Sequence, residues 1–498
     1  MTTNSKNILY AKFQTKDNHY IYDTYSNEIL QVAKCTWDII DDYLENPENK
    51  IEIFDKHIKK NNYTREEILE AIKDIEEGRD NGYLQPCNIK KMQFYDSHKQ
   101  MIEDIKYKIK SLGLEVTQNC NFRCKYCVYG ECYSSRRNHK NRNMDWPTAL
   151  NAIKIFMQHS SKAERKNIGF WGGEPLLKFD LIKKVVNYVK KQYPDEDIHY
   201  SFTTNGSLFN DENIEFLIKN NFHILVSLDG PKHINDKYRA DIKGNGTFDR
   251  VMHGLQKIIA KGKKYYNEYI SFNCILTPNT DFSDVLSFFS ENRLFENNKD
   301  NINISAVDSY QTSFFDKYGD YSQEQKIYLN KIYYESAINN LLDKEMIIRK
   351  LNEQSMLKIF NRCRHKIGNM VALNGCCVPL LKKMHVDVYG NIHTCEKVPL
   401  YNALGNVNTT GIDYDSIVKF VEEYSKNSIK DCKHCWAVRM CPACYKYFIK
   451  NNKWQNAERQ KTCINIRDTF LIDLILYSSI IEDNPKAFDY MKEIKISV

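Results

Sequence analysis

A chain of 498 residues is long enough for two to four domains, and its 42% hydrophobic and 27% charged content excludes general disorder and residence in a membrane. The formal charge of +7 comes from interspersed Lys, Asp and Glu rather than a basic block, so no nucleic-acid partner is expected. Residues 1–13 hold no apolar core of signal-peptide length, and the longest apolar run, 470–481, contains Asp473 and falls short of the roughly twenty residues that span a bilayer. A cytoplasmic protein is expected, and sixteen cysteines in a reducing compartment point to metal rather than disulfides.

In chain order, residues 1–86 read as a small domain of their own. Short strands at 8–13, 19–23 and 28–32 are separated by the turn residues Asp17-Asn18 and Ser26-Asn27. Helical patterns follow at 36–43, 51–60 and 64–82, the last opening on Thr64 with Glu67 three residues on, the signature of a capping box. Three strands and then three helices suggest a winged-helix-like α+β module. The polar, Lys-rich stretch 87–110 reads as a linker.

From residue 112, strand-like runs alternate with amphipathic helical runs. Strands are expected at 112–117, 168–171, 199–203, 223–228, 270–276 and 302–307, with helices at 146–159, 177–192, 211–220, 248–261 and 282–292. Six βα units over 111–310 imply an α/β fold with a parallel sheet, either curved toward a partial barrel or doubly wound. In both, the chemistry belongs at the C-terminal ends of the strands. Residues 311–362 read as a helical bridge, 363–470 as a cysteine-rich domain and 471–498 as a C-terminal helix.

Cys120-x3-Cys124-x2-Cys127 directly follows the first of these strands. Three thiolates on one loop can hold three irons of a 4Fe–4S cluster and leave the fourth open. A zinc site with a distant fourth ligand is the competing reading, although zinc favours paired cysteines. The run Cys120-Asn121-Phe122-Arg123-Cys124-Lys125-Tyr126-Cys127 resembles the radical S-adenosylmethionine superfamily, with an aromatic residue before the third cysteine. Gly172-Gly173-Glu174-Pro175 is similar to the segment that hydrogen-bonds the methionyl amine in that family. Thr203-Thr204-Asn205-Gly206 and Ser227-Leu228-Asp229-Gly230-Pro231 follow the third and fourth strands, and Arg239 lies where the family contacts the substrate's carboxylate or ribose.

The resemblance covers about residues 112–307 and implies a partial (β/α)6 TIM-like barrel. It implies a cluster on Cys120, Cys124 and Cys127, and S-adenosylmethionine held by Tyr126, Gly172, Gly173, Glu174, Asn205, Ser227 and Arg239. One electron would then split a carbon–sulfur bond, giving methionine and a 5′-deoxyadenosyl radical that abstracts hydrogen from the substrate. Cys132, Tyr133, Arg136 and His139 read as a polar loop beside the cluster, and Asp308 as a candidate general base. Cys35, Cys87 and Cys274 read as buried small hydrophobes.

The second thiol region runs Cys377-x12-Gly390-x4-Cys395, then Cys432-x2-Cys435-x5-Cys441-x2-Cys444, then Cys463. It resembles the SPASM extension of radical enzymes that modify peptides, which carries two auxiliary 4Fe–4S clusters, three clusters in all. The family places three residues between its last paired cysteines, and here there are two, Pro442 and Ala443. The resemblance implies Cys377, Cys395 and Cys444 for one cluster, completed by Cys363 or Cys376, and Cys432, Cys435, Cys441 and Cys463 for the other. From spacing alone, a pair of structural zinc knuckles is the alternative.

A strand-rich module ahead of such a core resembles the precursor-peptide recognition element of peptide-maturation enzymes, which binds a leader peptide as an added strand. The helix at 64–82 carries at least as many acids as bases, which disfavours a DNA-reading role. The expectation is a radical maturase of a ribosomally made precursor peptide, of the sactipeptide or ranthipeptide type, forming a Cys thioether. A low-potential donor such as flavodoxin or ferredoxin would reduce it. The alternatives are a sulfatase-maturing enzyme that makes formylglycine, and a zinc-stabilised peptide-binding protein without catalysis.

Overall fold

Alternating apolar residues and two tight turns build an antiparallel meander from β1 (Tyr10–Gln14), β2 (His19–Asp23) and β3 (Glu28–Val32), in the order β1-β2-β3. The computed structural model describes residues 7–494 apart from 94, 134–137, 373–374, 376, 398–402 and 451–452. Three helices follow, Lys34–Glu45, Lys50–Asn61 and Arg65–Asp80. Both bonds of the Thr64–Glu67 capping box are present.

Because side chains alternate across a strand, this sheet has two apolar faces. Ile8, Tyr10 and Ile21 pack on Ile39, Ile40, Ile68 and Ile72 of the three helices. On the opposite face, Ala11, Phe13, Tyr20 and Tyr22 share a core with Tyr333, Phe470 and Tyr477 from far along the chain. The first 86 residues thus have a core of their own and share a second one with the C-terminal part of the chain.

The stretch expected to be a linker is also structured. β4 (Lys91–Met92) lies within it, as does the helix His98–Tyr107, whose Met101 and Ile105 are buried in the main core. Its lysines face solvent and mask an amphipathic helix.

The central sheet begins with β5 (Ser111–Thr117), β6 (Lys166–Gly172), β7 (Ile198–Thr204), β8 (His223–Ser227), β9 (Ile270–Leu276) and β10 (Ile302–Ala306). These six are parallel and lie in sequence order, with helices Trp146–His159, Phe179–Gln192, Asp211–Lys219, Phe248–Tyr269 and Phe282–Glu291 between them. Interiors such as Leu112, Leu114, Val116, Phe170, Phe202 and Val226 are buried, as crossover helices on a parallel sheet require.

After the bridge helices Gln323–Ile338 and Met346–Phe360, β11 (Met370–Val371) pairs with β4. β12 (Lys383–Val386) then docks parallel to β5, and β13 (Ile392–His393) antiparallel to β12, extending the sheet to eight strands. The cysteine-rich region is thus hydrogen-bonded to the edge of the six-stranded sheet. The division expected at residue 470 falls inside one continuous helix, Asn456–Asp483. No helix among the described residues is long and apolar enough to cross a membrane.

Candidate active site

The loop after β5 is fastened from both sides. Arg123 N–H donates to Ala240 O at 2.7 Å, Lys125 N–H to Tyr238 O at 2.8 Å, and Gln118 N–H to Arg142 O at 2.9 Å, while Phe122 is buried beneath it. This brings Cys120, Cys124 and Cys127 together at the C-terminal end of the sheet. Burial pushes all three thiols up, that of Cys127 to about 12, with the neighbouring Cys124 adding to it. Such thiols are inert as nucleophiles until a metal takes their protons. Two N–H groups already face Cys120 Sγ, that of Phe122 at 3.3 Å and the amide of Asn205 at 3.9 Å. His139 Nε2 lies 3.9 Å from Cys127 Sγ.

The Gly-Gly-Glu-Pro segment after β6 lies directly against this loop. Gly173 N–H donates to Thr117 O and Glu174 N–H to Asn119 O, each at 2.9 Å. Gly172 has φ +139°, and a Cβ there would sit 1.9 Å from Thr117 O; one on Gly173 would sit 2.2 Å from Asn119 O. Only glycine lets the two chains approach so closely.

Glu174 is fully buried. It accepts from Leu176 N–H at 3.0 Å, Thr204 Oγ1 at 2.8 Å and Asn205 N–H at 2.8 Å, which ties β6 to β7. Burial nevertheless raises its carboxyl to about 6. A folded value above the ordinary 4.5 means that the ionised form penalises folding above pH 6 and that the penalty is relieved as pH falls toward 4. In urea titrations of metal-free protein, wild type should gain about 2 kcal/mol relative to Glu174→Gln between pH 7.5 and pH 4. A pH-independent difference between the two proteins would refute this.

Arg239 is buried, and its Nη1 donates to Tyr126 Oη at 2.8 Å; the Tyr126 hydroxyl in turn donates to Asp229 Oδ2. Asp229 Oδ1 accepts from Ile275 N–H at 3.1 Å. The guanidinium is therefore occupied in part by the protein itself. Its Nε is buried without a partner among the described residues. Asp229, which the sequence offered only as part of a motif, closes this network.

Ser227 ends β8, half-buried, on the same rim. Cys132 and Tyr133 are buried and reach across to the far side of the sheet: Ser313 N–H donates to Cys132 O at 2.9 Å, and Tyr133 Oη to Asp308 O at 2.7 Å. The Asp308 carboxylate is paired with Lys446 Nζ at 3.1 Å, which argues against a free general base there. Arg136 lies outside the described residues. Of the stray cysteines, Cys87 and Cys274 are buried and Cys35 is half-buried.

The later cysteines gather in two groups. Cys432, Cys435, Cys441 and Cys463 line one cavity of about 320 Å³, with Arg459 and Arg467 on its wall. Burial, reinforced by the neighbouring thiols and opposed by Arg459, pushes Cys432 to about 12. Arg459 Nη2 lies 3.6 Å from Cys432 Sγ. In the other group Cys395 and Cys377 stand beside Cys444, whose thiol burial raises to about 11. Pro442 and Ala443 thus separate a cysteine of each group. Cys363 is exposed, and its carbonyl accepts from Arg439 and Asn27; Cys376 lies outside the described residues. Among the described residues no three His, Cys, Asp or Glu side chains converge as ligands of a single metal ion.

The thiol trio at the C-terminal end of the parallel sheet falls within residues 114–290, which match the Radical SAM superfamily. The chain carries a radical SAM domain. It is 35% identical over 167 residues to a cysteine-type anaerobic sulfatase-maturating enzyme of Clostridium novyi (strain NT), covering 32% of this chain and 43% of that protein. It is 32% identical over 194 residues to the radical SAM cyclopropyl synthase TigE of Paramaledivibacter caminithermalis, covering 36% and 39%. The chain thus spans about two fifths of the length of these two relatives. Among solved structures, native anSMEcpe with bound AdoMet superposes with a TM-score of 0.53 at 22% identity, over 77% of this chain and 100% of that one.

Proposed function

We propose that this protein binds a 4Fe–4S cluster through Cys120, Cys124 and Cys127, cleaves S-adenosylmethionine reductively and modifies a ribosomally made peptide by forming a Cys thioether. The observation that carries the reading is the convergence at one strand-end rim of three thiols, the unpartnered Arg239 Nε and the Glu174 carboxylate. A thiol-only donor set on one loop fits three irons, and a buried guanidinium N–H fits a carboxylate or ribose oxygen. The cluster, when bound, supplies the electron that splits the carbon–sulfur bond. The chain's own residues do the rest. Gly172 and Gly173 let their segment pack backbone to backbone against the cysteine loop, Glu174 offers an acceptor to an amine, and Asn205, Tyr126 and Arg239 orient the loop. Ser227 stands on the same rim. The solved structure with AdoMet and the Cp18Cys peptide bound, similar in fold at a TM-score of 0.52, supports a peptide substrate for such an architecture.

The two later thiol groups suit auxiliary clusters, Cys377, Cys395 and Cys444 in one and Cys432, Cys435, Cys441 and Cys463 in the other. Cys363 or Cys376 would complete the first; Cys363 is exposed, as is Cys377. A low-potential flavodoxin or ferredoxin would serve as reductant. Formylglycine formation in a sulfatase is the second reading, favoured by the relative of that name. Mass spectrometry separates the two: a thioether loses two hydrogens and keeps its sulfur, whereas a cysteine converted to formylglycine loses it.

β3 supports recognition of a leader peptide in a winged-helix-like module, since among the described residues it pairs on one side only. Thr24 N–H donates back to Leu9 O, so alternation along the hairpin points the N–H and C=O of Glu28, Leu30 and Val32 at β2 and those of Ile29 and Gln31 outward. A peptide added as a strand would use the outward groups. Gln31→Pro removes one outward donor and no bond of the β2–β3 ladder, losing only the exposed bond from Gln31 Nε2 to Asn18 Oδ1. With binders selected from a random displayed peptide library, this variant should lose about tenfold in affinity and keep the wild-type unfolding midpoint. Unchanged affinity would sink the edge-strand assignment. Deleting residues 1–86 would be a poor test, because it strips Phe13, Tyr20 and Tyr22 from the C-terminal core.

A further inference from the structure

The turn between β2 and β3, residues 24–27, is gripped by the cysteine-rich region. Arg439 lies between Cys435 and Cys441, and its guanidinium spans four backbone carbonyls: Nη1 donates to Tyr25 O at 3.1 Å, Thr24 O at 3.5 Å and His365 O at 2.5 Å, and Nη2 to Cys363 O at 3.0 Å. The grip is reciprocal. Buried Thr24 Oγ1 donates to Trp436 O at 2.7 Å, and the Tyr22 ring meets Trp436 edge-on at 5.9 Å. Trp436 stacks in turn on Phe470 at 5.4 Å. Between the two cysteines the backbone is drawn into tight turns, Val438 N–H to Cys435 O and Met440 N–H to Ala437 O, each at 3.1 Å. A second arginine completes the clasp: Arg362 Nε donates to Asn27 O at 2.8 Å and Nη2 pairs with Glu28 at 2.9 Å.

We propose that Arg439 is a positioning residue that fixes the thiols of Cys435 and Cys441 by anchoring their loop to the turn of the N-terminal sheet. A planar fork of five donors can hold several carbonyls at fixed angles, which a single ammonium cannot. The loop between these cysteines buries Ala437 and Met440 in one core and Val438 in another, and its backbone is tied as well to the hairpin turn through Thr24 and Trp436, which lie 412 residues apart in the chain. β3 and the clasped turn belong to one hairpin. In this respect the inference builds on the peptide reading: a strand added to β3 stiffens the element that holds the second thiol group.

The test needs no peptide, so its outcome is independent of that reading. Hydrogen exchange is measured on the metal-free full chain for wild type, Arg439→Met and the isosteric Thr24→Val. Amides 436–440 should exchange about tenfold faster in both variants, while residues 120–127 keep the wild-type rate. After reconstitution with iron and sulfide, the electron paramagnetic resonance signal that Cys463→Ala removes should be altered in both variants, with the remaining signals unchanged. Thr24→Val deletes one hydroxyl and serves where Arg439→Met folds poorly. Wild-type exchange at 436–440 together with an unaltered spectrum in Thr24→Val would overturn the proposal.

Discussion

Cys124→Ala protein, reconstituted anaerobically with iron and sulfide and reduced with dithionite, is expected to release no 5′-deoxyadenosine from S-adenosylmethionine above background. The size of the loss follows from the site. Groups that only hydrogen-bond to a metal's ligands are worth about 10–100-fold, so removing one of three thiols must cost more than that. Cys132→Ala is the matched control. Cys132 is buried and only five residues beyond Cys127, and its carbonyl, which alanine keeps, accepts from Ser313. Chromatography of the two reactions with iron and zinc analysis of both proteins decides the matter. Activity in Cys124→Ala, or zinc in place of iron in wild type, would remove the cluster from Cys120, Cys124 and Cys127 and favour the zinc-stabilised binding protein.

The parts of this site that were legible in the sequence are those fixed by neighbours along the chain. The trio lies within eight residues, and Gly172, Gly173 and Glu174 occupy one turn whose backbone conformation demands glycine. β9 was read to its exact bounds because Ile270–Leu276 alternates cleanly. What escaped depends on contacts between distant residues. Tyr126 and Asp229 are 103 residues apart, and Tyr126 and Arg239 are 113 apart, so the diversion of Arg239 toward the protein leaves no local mark. β12 is four residues long, too short for periodicity to reveal, and it is a strand only because β5 offers it an edge. The helix Asn456–Asp483 opens on a polar half, which hides its start. The same holds for the N-terminal sheet, where Phe13, Tyr20 and Tyr22 find their partners, Tyr333, Phe470 and Tyr477, only far along the chain.

The network beneath the cluster loop carries the second large effect. Asp229→Leu should lose about 3–5 kcal/mol of unfolding free energy, because it strands the Arg239 guanidinium in a buried site. Arg239→Met should cost less. A carboxyl can take up a proton when its partner is lost, and burial already pushes that of Asp229 upward, whereas a guanidinium cannot shed its charge. The double replacement should therefore be milder than the sum of the two, with a coupling of about 0.5–3 kcal/mol from urea unfolding. Simple additivity would show that the two side chains do not sense each other. The pair also acts on the metal site, since Arg239 is the chief charge drawing the Cys124 thiol back toward ionisation against its burial. Arg239→Met should on that account take up iron more slowly at pH 7 than wild type and recover as the pH is raised, while Asp229→Leu, which leaves the positive charge in place, should not.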